Sequence, residues 1–170
     1  MEGGASLRDD ELKIVALALI GLMAAVAIYP ILAEYRGTVE PFSELGILGP
    51  NMKLGDYPRE LAVGQSFNLY LYVGNHEGGV EYFRVQAKLG DVNSNVSDTA
   101  PMDAPVFASW AFVMPNESNS TLPITLSVDR AGLNQRVVFE LDVYDSSVND
   151  FVYHQRWTQL WMNVTSTVIP

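Results

Sequence analysis

One run of the chain carries no polar position at all. Residues 14–33 (IVALALIGLMAAVAIYPILA) are uninterrupted by charge and are bracketed by Lys13 and Glu34. Twenty residues at about 1.5 Å each give a helix of roughly 30 Å, the thickness of a bilayer core. With no polar face, the run predicts a transmembrane helix rather than a surface helix of a soluble domain. Tyr29 and Tyr35 stand near its C-terminal edge, where interfacial aromatics are favoured. Pro30 is close enough to that end to be tolerated. The alternative is a cleaved signal peptide. Its apolar region is usually about 7–15 residues and follows a basic segment. Here the run is longer, and Glu2, Asp9, Asp10 and Glu11 dilute Arg8 and Lys13. The expectation is therefore an uncleaved anchor over 14–33, an N-terminal cytoplasmic segment over 1–13 and a polar stalk over 34–41.

Beyond the stalk the pattern changes to period two. Phe67, Leu69, Leu71 and Val73 share one face of a run, with Tyr70 and Tyr72 opposite. After the Gly-Asn-His-Glu-Gly-Gly turn at 74–79, Phe83, Val85, Ala87 and Leu89 alternate with Tyr82, Arg84, Gln86 and Lys88. These two runs read as a β-hairpin. Further runs follow at 106–114, 122–128, 136–144 and 152–164, with a short one at 45–48. In 137–143, Phe139, Leu141 and Val143 alternate with Glu140 and Asp142. Seven or so strands without an intervening amphipathic helix predict an antiparallel, immunoglobulin-like β-sandwich over residues 42–166, followed by a tail at 167–170. About 120 residues suffice for one adequate core.

Composition narrows the chemistry. The 170-residue chain has 10 basic and 20 acidic side chains, a net charge of -10 and no Cys. Disulfides, thiol catalysis and the usual structural zinc sites are excluded. Nucleic acid is not an expected partner, because phosphate contact needs clustered Lys and Arg. Phosphate-binding glycine loops and a Gly-x-Ser-x-Gly elbow are absent. No cofactor and no catalytic residue are expected.

The positive-inside bias is slight, so orientation rests on sequons. Four Asn-x-Ser/Thr sites occur, at Asn95, Asn116, Asn119 and Asn163, all after the apolar run. Such sites accept N-linked glycans on exported domains. They predict a cytoplasmic N-terminus and a glycosylated domain outside the cell membrane. The other reading of each sequon is ordinary turn chemistry.

Tyr57-Pro-Arg-Glu-Leu-Ala-Val-Gly-Gln65, the strand end Val73-Gly-Asn-His-Glu77, Tyr82 and the opening segment Phe42-Ser-Glu-Leu-Gly-Ile-Leu-Gly-Pro50 resemble the archaeal "domain of unknown function 1616" family. The resemblance covers residues 42–90 best. It implies an archaeal envelope protein with an outward β-sandwich and no assigned activity. Many members carry several membrane helices before the domain, whereas this chain has one such run.

Three constellations remain. His76 and Glu77 suggest a metal-dependent hydrolase, but His154 is the only other histidine, and a metal site wants three or four ligands. A turn at Asn75–Glu77 is the plainer reading. Asp142, Asp145 and Asp150 lack the Asp-x-Asp-x-Asp-Gly order of a calcium loop and read as solvated acids. Trp157 and Trp161 fall on the face opposite Leu160, Met162 and Val164, where they would contact sugar, a partner protein or a covering loop of the same domain. The function expected is a non-enzymatic accessory or structural subunit of a membrane or cell-surface complex, with a carbohydrate-binding module as the alternative.

Overall fold

A computed structural model describes residues 9–35 and 40–166. The first eight residues of the expected cytoplasmic segment, the middle of the expected stalk and the tail 167–170 lie outside the described residues. The chain divides into two compact units between Glu40 and Pro41.

The first unit is one helix, α1 (Asp9–Tyr35), with Pro30 inside it. Within α1, Glu11–Pro30 has a mean hydropathy of 2.4 and is long and apolar enough to cross a membrane. Its apolar side chains point to every side, and each one described is exposed. The cost of Pro30 is small because the lost N–H bond falls near the helix end.

The second unit is a two-layer sandwich. Its strands are β1 (Phe42–Leu48), β2 (Glu60–Ala62), β3 (Ser66–His76), β4 (Glu81–Gly90), β5 (Val106–Met114), β6 (Ser118–Ser127), β7 (Gly132–Asp145) and β8 (Asp150–Thr165). One sheet has the order β1-β3-β6, the other β2-β8-β7-β4-β5. All pairings are antiparallel except β2 with β8, where Leu61 lies beside Val164 in parallel register. The fold is mainly β and immunoglobulin-like, as the periodicity predicts, with that one parallel pair added.

The core comes from the expected apolar faces. Leu69, Leu71 and Val73 of β3 pack with Phe83, Val85 and Ala87 of β4, with Phe139 and Leu141 of β7, and with Leu160, Met162 and Val164 of β8. Each fully buried Leu, Val or Phe contributes about 1.5–3 kcal/mol, which makes this cluster the main stabilising term. Leu89 is only half-buried.

The expected hairpin of residues 66–73 with 80–89 is not formed. β3 and β4 belong to opposite sheets and face each other across the core. Period-two alternation states which face is apolar. It does not state whether the apolar face lies beside its neighbour or opposite it.

Asn75 settles the geometry of that crossing. It is fully buried at the end of β3. Its Nδ2 donates to Gly79 O at 2.9 Å, Met114 O at 2.8 Å and Pro115 O at 3.1 Å, and its Oδ1 accepts from Glu77 N at 3.0 Å. Gly79 belongs to the β3–β4 crossing, and Met114 and Pro115 to the β5–β6 crossing. One amide therefore ties together two places where the chain changes sheets. Gly78, at φ 87°, turns the first of them in a conformation that favours glycine.

The outer face of the five-stranded sheet departs from expectation. The pattern puts Arg84, Lys88 and Glu140 on polar faces and reads Asp142 as a solvated acid. Instead residues 91–105 fold over this face. Lys88 Nζ lies 2.8 Å from Glu140 Oε2 and donates to Met102 O at 2.9 Å, while Glu140 accepts from Met102 N. Arg84 Nη2 pairs with Asp142 Oδ2 at 2.7 Å. Glu140 is 1% exposed and Asp142 5%. A charge buried this deeply is tolerated because it is paired and hydrogen-bonded.

Replacing Asn75 by alanine removes a hydrogen-bond partner from three carbonyls and one N–H, of which Pro115 O keeps the Ser118 hydroxyl at 2.6 Å. At about 1–3 kcal/mol for an unsatisfied buried group, offset by partial rehydration, the expected loss is about 3 kcal/mol. Urea denaturation of the full chain in detergent, followed by tryptophan fluorescence, measures it. An unchanged midpoint would show that the two crossings hold without this amide.

Candidate functional site

The Asn-His-Glu motif sits where β3 leaves its sheet. Asn75 turns inward, and successive residues then alternate sides, as extended backbone requires. His76 and Glu77 consequently reach different partners.

His76 stacks on Phe42 with ring centroids 4.5 Å apart. Its Nδ1 is 2.8 Å from Glu117 Oε2, and its Nε2 is 3.6 Å from Glu44 Oε2. Tyr72 donates its hydroxyl to the same Glu44 oxygen at 2.7 Å, and that bond, with burial, raises the Tyr72 pKa. Both imidazole nitrogens thus face carboxylates. A neutral ring donates from only one nitrogen, whereas the imidazolium donates from both. The hydrogen bond to Glu117 accordingly raises the His76 pKa, against a smaller opposing effect of burial and with the charges of Glu117 and Glu44 adding to it.

Glu77 takes the other histidine. Its Oε1 lies 2.7 Å from His154 Nε2, beside the Phe83 ring. The motif therefore makes two separate imidazole–carboxylate pairs. Among the described residues, no group of three or more His, Asp or Glu side chains is placed to hold a metal ion. Each pair has the parts of a proton relay and also those of a structural clasp. Asp145 is capped by the hydroxyl and N–H of Ser147 in the β7–β8 turn, which hold its carboxyl below the usual range. Asp142 is on Arg84 rather than beside Asp145 and Asp150.

The tryptophans form a second candidate surface. Both lie on the outer face of the five-stranded sheet. Arg136 Cζ lies 5.5 Å from each of the Trp157 and Trp161 ring centroids. Its guanidinium also bonds Gln159 Oε1 and, at 2.6 Å, Ser94 O. The cover over 91–105 then gives the two rings unequal exposure. Trp157 is half-buried, with Nε1 3.3 Å from Asp98 Oδ1. Tyr153 donates to Ser97 O at 2.8 Å, and burial first, then the Glu140 carboxylate, push its phenol up to about 12. Trp161 remains 40% exposed. It borders a cleft of about 450 Å³ with Tyr57, Arg59, Glu60, Asn134 and Asn163.

The sequons occupy three environments. Asn95 is exposed on the covering segment. Asn116 is exposed in the β5–β6 crossing, where its Oδ1 accepts from Gly78 N at 2.8 Å. Asn119 is exposed on β6, in a strand rather than a loop. Asn163 is half-buried on β8: Nδ2 donates to Glu60 Oε1 at 2.7 Å, and Oδ1 accepts from Asn134 N at 2.8 Å.

Sequence reasoning did not find β2, the covering segment or the carboxylate partners of His76 and His154. Glu44 and Glu117 lie 32 residues before and 41 after His76 and carry no local signal.

Fold and site together define an immunoglobulin-like sandwich domain preceded by an apolar helix. The chain belongs to the family described as domain of unknown function (DUF1616), whose model matches residues 37–163. That match extends well past the segment on which the resemblance was noted. No curated protein matches the sequence at a significant level. Among solved structures, the CARDB domain of a Pyrococcus furiosus protein, in complex with di-metal ions, is similar at TM-score 0.45 and 11% identity, covering 75% of this chain and 90% of that one. A Listeria innocua β-glucosidase is similar at TM-score 0.44 and 16% identity, over 76% of this chain and 17% of that one. The sporulation control protein of Bacillus subtilis gives TM-score 0.42 and 10% identity, over 74% and 50%.

The two carboxylates around His76 make stability depend on pH. Because the folded-state pKa is raised, this contribution is complete below about pH 6.5, where the unfolded ring is also protonated. It declines as pH rises through the higher folded value. NMR titration of His76 should give a midpoint above that of an unstructured histidine, and Glu117→Gln should lower it. A midpoint at the ordinary value, unmoved by Glu117→Gln, would contradict the pairing.

Proposed function

We propose that this protein is a non-enzymatic, single-pass membrane protein of an archaeal envelope. In this reading α1 is the anchor, with a cytoplasmic N-terminus. The sandwich is an extracellular, N-glycosylated accessory or structural subunit of a membrane or surface complex. Its partners are the bilayer and another protein.

The observation that carries the reading is the edge strand β5. Among the described residues it pairs only with β4. Apart from Ser109, every residue from Val106 to Met114 is apolar. Edge strands that face water are ordinarily blunted by Lys, Pro or a bend, because their open N–H and C=O groups invite another strand. β6, one of the two edges of the other sheet, carries Pro123 and a polar outer row. β5 has neither; its one irregularity is a register shift against β4 at the Val106 end, and at the other end Val113 is 70% exposed. Such an edge suits addition of a partner strand, in which backbone bonds supply affinity and alternate side chains supply specificity.

Extraction of the native protein in mild detergent tests this. A stable partner should co-purify, and Val113→Lys should release it while leaving the thermal midpoint within a few degrees of wild type. A solitary monomer would overturn the subunit role.

The open Trp161 cleft favours a second reading, recognition of free saccharide. It would rest on Trp161 more than on Trp157, which residues 91–105 partly cover. Glycan-array binding abolished by Trp161→Ala would support it. The hydrolase reading of His76 and Glu77 has least support, because the two side chains engage different partners.

A further inference from the structure

Trp161 and Asn163 stand two residues apart on β8. Side chains at that spacing share a strand face and are separated by about 7 Å. Asn163 heads the sequon Asn-Val-Thr that ends at Thr165. Trp161 is the most exposed of the three tryptophans at 40% and opens on the cleft that Asn163 also lines.

The amide of Asn163 is oriented. Its oxygen accepts from the backbone of Asn134, and one N–H donates to Glu60. An amide nitrogen carries two N–H bonds, and N-glycosylation replaces only one. Modification leaves one N–H on that nitrogen, and the bond from Asn134 N to the amide oxygen, which involves neither hydrogen, keeps the amide plane oriented. Trp161 is fixed as well, since the Arg136 guanidinium sits against it and is itself tied to Ser94. A fixed aromatic plane beside a fixed attachment point suits a pyranose ring, whose C–H face is attracted to the negative face of an indole.

We propose that Asn163 carries an N-linked glycan whose first sugar packs on Trp161 in the cleft. This deepens the exported reading of the domain and rests on it. The modification joins Asn163 Nδ2 to the anomeric carbon of a lipid-phosphate-linked sugar donor. The bond from that carbon to the donor's phosphate oxygen breaks, the lipid phosphate leaves with the electron pair, and the displaced amide proton passes to the solvent. The sugar that Trp161 contacts is then the protein's own. The Trp161 face is occupied by that glycan, which leaves the β5 edge as the protein contact.

The test is glycopeptide mass spectrometry on the full chain from its native membranes, combined with thermal unfolding of four forms: wild type, Trp161→Ala, Thr165→Val and the double variant. Thr165→Val removes the sequon while keeping Asn163. The expected result is sugar on Asn163 and a larger loss of thermal midpoint from Trp161→Ala in the glycosylated background than in the Thr165→Val background. Sugar on Asn95, Asn116 or Asn119 with Asn163 bare overturns the inference and leaves the exported reading standing. Four bare sequons overturn both. Sugar on Asn163 with the same Trp161→Ala loss in both backgrounds overturns the packing on Trp161.

Discussion

A single buried amide holds the two sheets in register. A two-layer β fold has no covalent reason to keep its layers aligned, and an apolar core is tolerant of sliding. Asn75 removes that tolerance. Its hydrogen bonds join the turn that carries the chain from β3 to β4 with the turn that carries it from β5 to β6. Buried polar groups of this kind contribute less to net stability than to uniqueness, because any alternative alignment leaves them unpaired. The turn residues around it are placed by the same bonds. His76 and Glu77 depart to opposite sides of it, and Gly78 N is placed to donate to the side-chain Oδ1 of Asn116.

The five-stranded sheet is covered on both sides. Its inner face meets the three-stranded sheet, and much of its outer face meets residues 91–105. That segment has few large apolar residues and attaches by polar contacts: Met102 to Lys88 and Glu140, Ser94 to Arg136, Ser97 to Tyr153. The central strands β4 and β7 therefore bury Lys88, Glu140 and Asp142 on their outer face as well as the apolar row on their inner one, while keeping an alternating sequence. Opposite charges at Lys88 and Glu140, and at Arg84 and Asp142, make that possible.

The alternating rows were legible because each strand buries one apolar side against one core, so β3, β4, β7 and β8 announce themselves through Leu69, Phe83, Phe139 and Met162. Sheet membership was not legible. Neighbouring strands with matched apolar rows satisfy a hairpin and a facing pair equally, and the deciding contact, Asn75 to Met114, spans 39 residues. The acidic and basic positions misled for a related reason. Alternation marks a polar face, but only the path of residues 91–105 decides whether water reaches it. The outward setting of Trp157 and Trp161 was readable from their parity with Leu160. Their unequal exposure depends on Asp98 and Arg136, which come from elsewhere in the chain.

The parallel contact between β2 and β8 has a consequence for the order of assembly. Three residues near the start of the sandwich, Glu60 to Ala62, find their partner at Asn163 to Thr165, and β3 likewise pairs with the distant β6. Topologies dominated by such distant pairings fold in milliseconds to seconds rather than microseconds. A chain supplied from its N-terminus could not close this domain until β8 arrived. The sheet β1-β3-β6 and the strands β7-β4-β5 need nothing from β8, but β2 would stay without a neighbour until the final strand was delivered.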